Sequence, residues 1–406
     1  MEQIFDSLAD ASRYLQDNYN GHGTVVGADT GLVLKQCRCR KSPNHPVVYA
    51  NDANGYANVR VNPWRDDVLG KSNVTVLTPN DELKGVRNGI FLAGPASRCE
   101  KPIGWREAFI NLFRLHNAPC TILNPEVAGY GEFDSERYRR QTEWESNAMH
   151  LATRIIFWIP RTDEHPALTT NVEFGEWNYA DGIYVGFPLN SQHNRYIATK
   201  CEDAGRGTYN CIPEIVRDVV DDLGQKPRTF FTSDTHFGAE RTLELSRRPF
   251  RDVRHMDMAL ASNWNKTVRD CDTVYHLGDF GDWGMLDNLN GTRIVLVKGN
   301  YDRNEGVPDD ARLEVHDEPM RVKMSRNGQT YILVHEPCCD EPSDGLFLYG
   351  HIHQAQLVKA NGINVGVDCN NYKPVDIGTI EFRTNGIKKH YDENVFCQRA
   401  GNGRME

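Results

Sequence analysis

The chain has 406 residues, of which 39% are hydrophobic and 25% charged, as is usual for a globular protein and unlike a disordered one. At roughly 100–200 residues per domain, this length indicates two to three domains. The formal net charge of -10 argues against a protein that coats nucleic acid nonspecifically, because such binding needs lysine and arginine side chains that neutralise phosphates.

Residues 1–86 carry no recognisable motif. A helix-like pattern covers residues 4–14, a glycine-rich and turn-rich stretch covers 21–31, and short apolar runs predict strands at 47–50 and 74–77. The first residues lack the basic and apolar regions of a signal peptide, and no apolar run in the chain reaches the length of a membrane span. We predict that this segment is a small β-rich extension of unknown role or a cap on the next domain, in a cytoplasmic protein with no membrane partner.

The cysteines do not indicate a disulfide framework. There are 11, an odd number, and most are scattered along the chain. The close pairs Cys37/Cys39 and Cys338/Cys339 each lack a second pair at zinc-finger spacing, so we interpret them as reduced thiols.

From residue 89 to residue 224, strands and helices alternate. Strands are predicted at 90–93, 121–123, 155–159 and 183–186. Four helices are predicted: one is marked by Trp105 and Phe109, the next by Gln141, Trp144 and Glu145, and the others cover residues 172–177 and Ile212 to Leu223. Residues 160–170 are predicted as a loop. This alternation predicts a parallel sheet with helices on both faces, of flavodoxin-like α/β type.

Several blocks within this region resemble the nucleoside 2-deoxyribosyltransferase-like family. They are residues 91–95, 124–126, 144–145, 157–160 and 170–175. The resemblance implies that Glu173 attacks the anomeric carbon of a nucleoside, which releases the base and forms a glycosyl-enzyme. It also places Gly94, Asn124 and Asn171 at substrate-binding positions.

Other interpretations of this domain stay open. Glu173 could be a carboxylate near a helix start, where the helix dipole favours negative charge. The family's transferases have an Asp where this chain has Thr153-Arg154, which favours hydrolysis or simple binding over base exchange. Trp144 and Glu145 are expected to pack and orient the site rather than react.

In the C-terminal region, strand-like runs are each followed at once by residues with oxygen or nitrogen donors. These residues are Asp234, His236, Asp279, Asn300, His335, His351 and His353. Sites in α/β sheets form beyond the carboxyl ends of strands, so the donors should share one crevice. They are too many for one ion and suit two ions about 3.5–4 Å apart with a bridging carboxylate.

This ordered set resembles the calcineurin-like metallophosphoesterase family, whose pattern reads D-x-H, G-D, G-N-H-D, H and G-H-x-H. The resemblance covers residues 228–389, includes blocks 248–250 and 362–368 typical of small bacterial and phage-type members, and implies a four-layer α/β/β/α fold. It assigns Asp234, His236 and His353 to the first metal, Asn300, His335 and His351 to the second, and Asp279 to both. Mn²⁺ is the expected ion; Fe, Zn and Ni stay open because no thiolate selects zinc.

One residue departs from the family pattern: Tyr301 stands where the family has the histidine of G-N-H-D. That histidine contacts the phosphate and helps to protonate the leaving group, whereas a tyrosine with a pKa near 10 is a poorer acid. The resemblance implies catalytic roles for Asp279, Asn300, Tyr301 and His335, with Asn300 and Tyr301 also contacting substrate. The departure predicts a preference for phosphodiesters or for activated esters, which need less help from an acid.

The complete prediction is a nucleotide-processing enzyme with an extension at 1–86, a deoxyribosyltransferase-like domain at 87–225, a phosphoesterase domain at 228–390 and a polar tail at 391–406. The N-terminal domain would cleave or transfer at an N-glycosidic bond. Alternatively, it only binds a nucleotide, or the protein is a nuclease acting on nucleic-acid ends. The partner is a nucleotide or nucleoside rather than a stable nucleic-acid complex, and homo-oligomerisation stays open.

Overall fold

The computed structural model describes residues 3–36, 46–52, 72–95, 104–127, 134–163, 166–302, 306–324, 328–337, 345–359 and 361–390. The chain forms two compact units: Met1–Leu83 with Asn88–Gln225, and Lys84–Arg87 with Lys226–Glu406. The cysteine pairs Cys37/Cys39 and Cys338/Cys339 and the predicted tail at 391–406 lie outside the described residues.

The first unit begins with a small four-stranded sheet and one helix. Its elements are β1 (Ile4–Phe5), α1 (Leu8–Tyr19), β2 (Thr24–Gly27), β3 (Val33–Gln36) and β4 (Val47–Ala50), and the strand order is β1-β4-β2-β3. Apolar side chains of α1, β2 and β4 form a core of their own, made of Ala11, Leu15, Val25, Val48 and Ala50.

Two predictions for this segment were wrong. Ile4 and Phe5 pair with β4 as a strand, and the helix begins only after Ser7, whose hydroxyl accepts a hydrogen bond from the backbone N–H of Asp10. This N-cap separates strand from helix, a signal that hydrophobic periodicity does not contain. The stretch predicted as turns contains β2, which lies between β3 and β4 in the sheet.

The second part of this unit is a five-stranded parallel sheet. Its strands are β5 (Val74–Leu77), β6 (Gly89–Ala93), β7 (Cys120–Leu123), β8 (Arg154–Trp158) and β9 (Ile183–Gly186), in the order β5-β7-β6-β8-β9. Its helices are α2 (Trp105–His116), α3 (Ser135–Leu151), α4 (Leu168–Trp177), α5 (Arg195–Asp203) and α6 (Ile212–Leu223). The sheet takes β5 from within the segment predicted as the extension.

Helices cover both faces of this sheet because each strand is apolar on both sides. Ile90 and Leu92 share a core with α2 and α6, whereas Phe157 packs edge-to-face on Phe174 of α4, with ring centroids 5.6 Å apart. Buried strands of this kind are expected when parallel strands are connected by helices. The predicted α/β class is confirmed.

The second unit is built on two five-stranded sheets. Its elements are β10 (Thr229–Thr232), α7 (Glu240–Leu245), α8 (Val253–Thr267), β11 (Thr273–His276), β12 (Arg293–Val297), β13 (Leu313–His316), β14 (Met320–Lys323), β15 (Thr330–Leu333), β16 (Leu346–Tyr349), β17 (Val358–Lys359), β18 (Gly362–Asn364), β19 (Val375–Asp376) and α9 (Ile377–His390). The sheet orders are β13-β12-β11-β10-β19 and β14-β15-β16-β18-β17.

Side chains from both sheets meet in one core, which includes Phe231, Val295, Tyr331 and Leu348. Helix α8 packs on the first sheet, where Trp264 stacks on His276, and α9 contacts strands of both sheets. Among the described residues, no helix is long and apolar enough to cross a bilayer.

The backbone conformation at the end of β6 requires a glycine at position 94. Its φ is 152°, and an added Cβ would meet the carbonyl oxygen of Trp158 and the ring of Trp105. We expect Gly94→Ala to lower the free energy of unfolding by at least about 1 kcal/mol, because a side chain is incompatible with this conformation. Urea unfolding followed by circular dichroism measures the change.

Gly175→Ala is the matched control. Gly175 lies inside α4 with no atom within 4 Å of an added Cβ, so alanine should stabilise the helix by about 0.5–1 kcal/mol. Unchanged stability of Gly94→Ala would contradict the close approach inferred for this turn.

Candidate functional sites

The predicted metal ligands follow the carboxyl ends of strands in both sheets of the second unit. Asp234 and His236 follow β10, Asp279 follows β11, Asn300 follows β12, His335 follows β15, and His351 and His353 follow β16. The structure brings these residues into two adjacent clusters.

The first cluster consists of Asp234, His236 and His353. Their possible ligand atoms lie within 4.8 Å of one another. The Nε2 atom of His236 is buried and has no hydrogen-bond partner, and burial lowers the pKa of this imidazole to about 3. A neutral, buried ring with an unpaired nitrogen is the state in which histidine binds a metal.

The second cluster consists of Asp279, His335 and His351, again within 4.8 Å. Asn300 joins it, since its Oδ1 lies 2.9 Å from Nε2 of His335 and 3.2 Å from Nδ1 of His351. The Nδ1 of His335 is 2.8 Å from the carbonyl oxygen of Leu277, which leaves Nε2 facing the cluster. Carboxylate, amide and imidazole donors thus converge on one point.

Asp279 connects the two clusters. Its Oδ2 lies 3.6 Å from Nε2 of His236 in the first cluster and 3.3 Å from Nε2 of His335 in the second. One carboxylate in contact with ligands of both clusters is the arrangement that a bridge between two ions requires.

The backbone at this centre is strained. Asp234, His236, Asp279, His351 and His353 have φ between 47° and 67°, in the left-handed region. Each such residue costs on the order of 1–3 kcal/mol, and this kind of strain is concentrated at functional sites. The strand-end loops also pass very close together: an added Cβ on the motif glycine at 299 would lie 2.7 Å from the backbone nitrogen of residue 279.

The electrostatics of the clusters favour bound positive charge. Burial alone would lower the pKa of His335, but its hydrogen bond to Asp279 and the charges of Asp234 and Asp279 outweigh burial and raise that pKa to about 9. The carboxylates therefore stabilise a cation beside them. Together with the nitrogen and oxygen donors, this fits two divalent ions of the Mn, Fe, Zn or Ni type.

Tyr301 stands at the mouth of this centre. Its side chain is 46% exposed, its ring meets His236 edge-on at a centroid distance of 5.3 Å, and its backbone N–H donates to Asp279 at 3.0 Å. The tyrosine therefore lies beside the first cluster with its side chain open to solvent.

The sequence alone missed the role of Asp302. Its carboxylate accepts hydrogen bonds from the backbone N–H groups of Asp279, Phe280 and Gly299, at 2.6, 3.2 and 2.9 Å. This residue joins two strand-end loops and fixes the position of the bridging carboxylate. Its position in the G-N-x-D block, three residues after Gly299, marked Asp302 as part of the motif but did not indicate what its carboxylate does.

The first unit contains a separate cavity of about 380 Å³. It lies between α3 and α4, over the end of β6, and its lining includes Gly94, Arg106, Glu145, Glu173 and Glu176. Pro125 also lines it, whereas Asn124 caps the adjoining turn by accepting from the N–H of Glu126 at 3.1 Å.

Glu173 is the most perturbed carboxyl group of this cavity. Burial, and then the charge of Glu145, raise the pKa of Glu173 to about 7, against the opposing charge of Arg106. Burial also raises the pKa of Glu145, while its hydrogen bond from Gln141 opposes the shift. Two carboxyl groups in one apolar cavity compete for one cation, which is typical of acid–base sites.

The predicted start of α4 was wrong by four residues. The helix begins at Leu168 rather than 172, so Glu173 lies in its second turn, away from the dipole that would explain a purely structural carboxylate. Trp144 is buried and donates to the carbonyl of Asp81, so it packs as predicted, whereas Glu145 lines the cavity beside Glu173.

Arg161 is a further residue that the sequence did not indicate. The residue is 8% exposed, its guanidinium donates to Asn171 of α4, and it has no carboxylate partner among the residues that the structure describes. Its Nε is buried without a hydrogen bond, and burial lowers its pKa. A buried cation without a counter-charge is costly unless a ligand neutralises it.

Comparison with known families identifies both domains. Residues 87–187 match the nucleoside 2-deoxyribosyltransferase-like family, and residues 228–386 match the calcineurin-like phosphoesterase superfamily domain. The chain belongs to the calcineurin-like phosphoesterases and carries an N-terminal nucleoside 2-deoxyribosyltransferase-like domain. Both predicted resemblances are confirmed. The C-terminal domain is accordingly that of a metal-dependent phosphoesterase, a family that binds divalent metals.

The chain is similar to individual proteins of an archaeon and of a phage. The chain is 34% identical over 170 residues to the uncharacterized protein MJ1445 of Methanocaldococcus jannaschii, a match that covers 89% of that protein and 38% of this chain. It is 34% identical over 82 residues to the gene 66 protein of Mycobacterium phage L5, covering 39% of that protein and 18% of this chain. The crystal structure of the protein of unknown function AQ665 from Aquifex aeolicus aligns along its full length with 39% of this chain, at 24% identity and a TM-score of 0.32.

Asp279→Ala should be the most damaging single change at the metal centre, since this carboxylate contacts ligands of both clusters. We expect the wild-type protein to retain about two equivalents of Mn²⁺ after gel filtration and the variant to retain less than one, as measured by elemental analysis. A chelator should abolish phosphoesterase activity and Mn²⁺ restore it.

Asp287→Ala is a suitable control, because this carboxylate lies on the surface of the same unit and pairs only with Lys84 among the described ion pairs. An Asp279→Ala protein with full metal content and full activity would rule out the bridge.

Proposed function

We propose that the C-terminal domain hydrolyses phosphodiesters of nucleotide type at a centre of two metal ions, with Mn²⁺ as the favoured ion. The observation that carries this proposal is the position of the Asp279 carboxylate between the two histidine clusters. Two divalent cations bound there would supply an activated water and neutralise charge on the phosphoryl oxygens.

The side chain of Tyr301 determines which class of phosphate ester the centre would cleave best. The Tyr301 hydroxyl can donate a hydrogen bond to a phosphoryl oxygen, and its ring contact with His236 positions it over the first cluster. A tyrosine with a pKa near 10 gives up a proton less readily than an imidazole at neutral pH. A substrate with a good leaving group needs no such acid, which supports activated esters, such as aryl phosphodiesters, over alkyl monoesters.

Tyr301→His should therefore increase hydrolysis of an alkyl phosphate monoester by about 10-fold or more, since general acid catalysis contributes roughly 10²–10⁴-fold. The wild-type protein should cleave a bis-aryl phosphate faster than the mono-aryl phosphate. Steady-state kcat/KM for the three esters measures both effects.

Tyr301→Phe provides the control, because it retains the ring against His236 and lacks a proton to donate. It should leave the monoester rate low. A wild-type preference for the monoester would count against the proposal.

For the N-terminal domain we propose cleavage of an N-glycosidic bond. The ionised carboxylate of Glu173 attacks the anomeric carbon, and the bond to the base breaks with its electron pair leaving on the base. The departing base takes its proton from solvent water. Water then hydrolyses the glycosyl ester and returns a proton, so that free sugar and base are the products.

Two features support a nucleotide rather than a nucleoside as the substrate of this domain. The first turn of α4 lines the cavity and has no side-chain N-cap, so its backbone N–H groups can receive an anion. Arg161, a buried guanidinium with no carboxylate partner among the described residues, contacts the same helix through Asn171. Glu173 lies five residues further on, about 7–8 Å along the helix axis, which suits the span of a nucleotide from phosphate to anomeric carbon.

Glu173→Ala should abolish release of free base and leave phosphoester cleavage intact, because the metal ligands lie in the other unit. In the wild-type protein the rate of base release should rise with pH through about 7, as Glu173 ionises against Glu145, Glu176 and Arg106. Chromatography of the products between pH 5 and 9 measures both.

Glu202→Ala, which removes an exposed carboxylate on α5, is the control for the loss of charge at Glu173.

The proposed phosphate contact is tested separately: Arg161→Met should raise KM for a nucleoside 5′-monophosphate more than for the nucleoside. Arg206→Met, which also removes a donor to an asparagine, should raise neither. If no nucleoside or nucleotide loses its base, the domain is a binding module, and Arg161→Met should still weaken nucleotide binding in calorimetry.

A further inference from the structure

A buried ion pair lies directly behind the first metal-ligand cluster. The guanidinium of Arg248 donates two hydrogen bonds to the carboxylate of Asp368, from Nε at 2.9 Å and from Nη2 at 2.8 Å. Both side chains are fully buried. Such bidentate pairs hold the carboxylate in one orientation as well as neutralising it.

The same carboxylate meets a predicted ligand. Oδ2 of Asp368 is 2.7 Å from Nδ1 of His353, so this ring nitrogen carries the proton and donates it to the carboxylate. Nε2 is then the nitrogen available to a metal, and the ring lies stacked on His236 with centroids 5.3 Å apart. A carboxylate behind a ligating histidine fixes its tautomer and raises its basicity as a ligand.

Arg248 also holds the other side of the cluster. It donates to the carbonyl oxygens of Asp234 and Thr235, the latter at 2.9 Å, and so fixes the backbone that carries Asp234 and His236 in its left-handed conformation. A single guanidinium therefore links the carboxylate behind His353 to the peptide that presents the other two ligands.

We propose that Asp368, clamped by Arg248, is a positioning residue that makes the first cluster the tighter of two unequal metal sites. The second cluster is held differently: His335 is oriented by the neutral carbonyl of Leu277, and His351 is exposed. The clamped, buried site should fill first and the exposed site second. This inference rests on the proposed two-metal centre.

Titration of the metal-free full-length protein with Mn²⁺, without any phosphate ester, tests the proposal. Calorimetry and the EPR signal of free Mn²⁺ should show two steps for the wild-type protein. In a His351→Ala background the first cluster alone keeps all its ligands, and adding Asp368→Asn should weaken the remaining step by about 10–100-fold. Asp376→Asn, which alters a carboxylate that caps α9 through Thr379, should leave it unchanged.

Each outcome has a distinct meaning. Equal Mn²⁺ affinity with and without Asp368→Asn overturns the positioning role, whereas a wild-type protein that binds no Mn²⁺ overturns the metal centre itself. If Asp368→Asn does not fold because Arg248 loses its partner, Arg248→Met with Asp368→Asn removes both charges together, which buried pairs tolerate better than the loss of one partner. The double variant should show the same loss of affinity, and wild-type affinity would overturn the proposal.

Discussion

The C-terminal unit depends on holding one carboxylate between two sets of histidines. Asp279 lies in the left-handed region, between two loops that must pass too closely for a side chain at Gly299. Asp302 and the backbone of Tyr301 secure it with hydrogen bonds. The sandwich of two sheets supplies the rigidity, since its shared core fixes the strand ends from which all the ligands project.

The buried carboxyl groups of Glu173 and Asp279, one at each site, differ in the direction of their pKa shifts. In the cavity of the N-terminal domain, burial raises the pKa of Glu173 to about 7, so the carboxyl group can shed its charge by taking a proton. At the metal centre, burial acts to raise the pKa of Asp279, but its contacts with His335 and His236 outweigh burial and lower that pKa, so this carboxylate keeps its charge beside a cation. The first arrangement suits a group that must change its protonation state, and the second suits a group that must keep a cation bound.

The Arg248–Asp368 ion pair stabilises the strained backbone of the ligands Asp234 and His236. Left-handed backbone at Asp234 and His236 aims two side chains at one point but costs free energy. Arg248 offsets that cost by donating to the carbonyl oxygens of this segment while it holds Asp368 behind His353. The block 248–250 and the block 362–368, far apart in the chain, thus act on the same cluster.

The sequence by itself determined the α/β class, most strands, both family resemblances and the metal-ligand types, because alternating apolar runs and donors at strand ends are local patterns. The family resemblance also implied which ligands share a cluster and that Asp279 serves both. The tertiary structure alone supplied the distances within the clusters and showed that Glu145 shares a cavity with Glu173. It also revealed Asp302 and the buried Arg161, which has no carboxylate partner in the part of the chain that the structure describes. These facts depend on distances between residues remote in the chain, on burial and on backbone conformation, none of which has a local signature. The missed helix start at Leu8 has the same origin, since Ile4 and Phe5 form a strand only by pairing with β4.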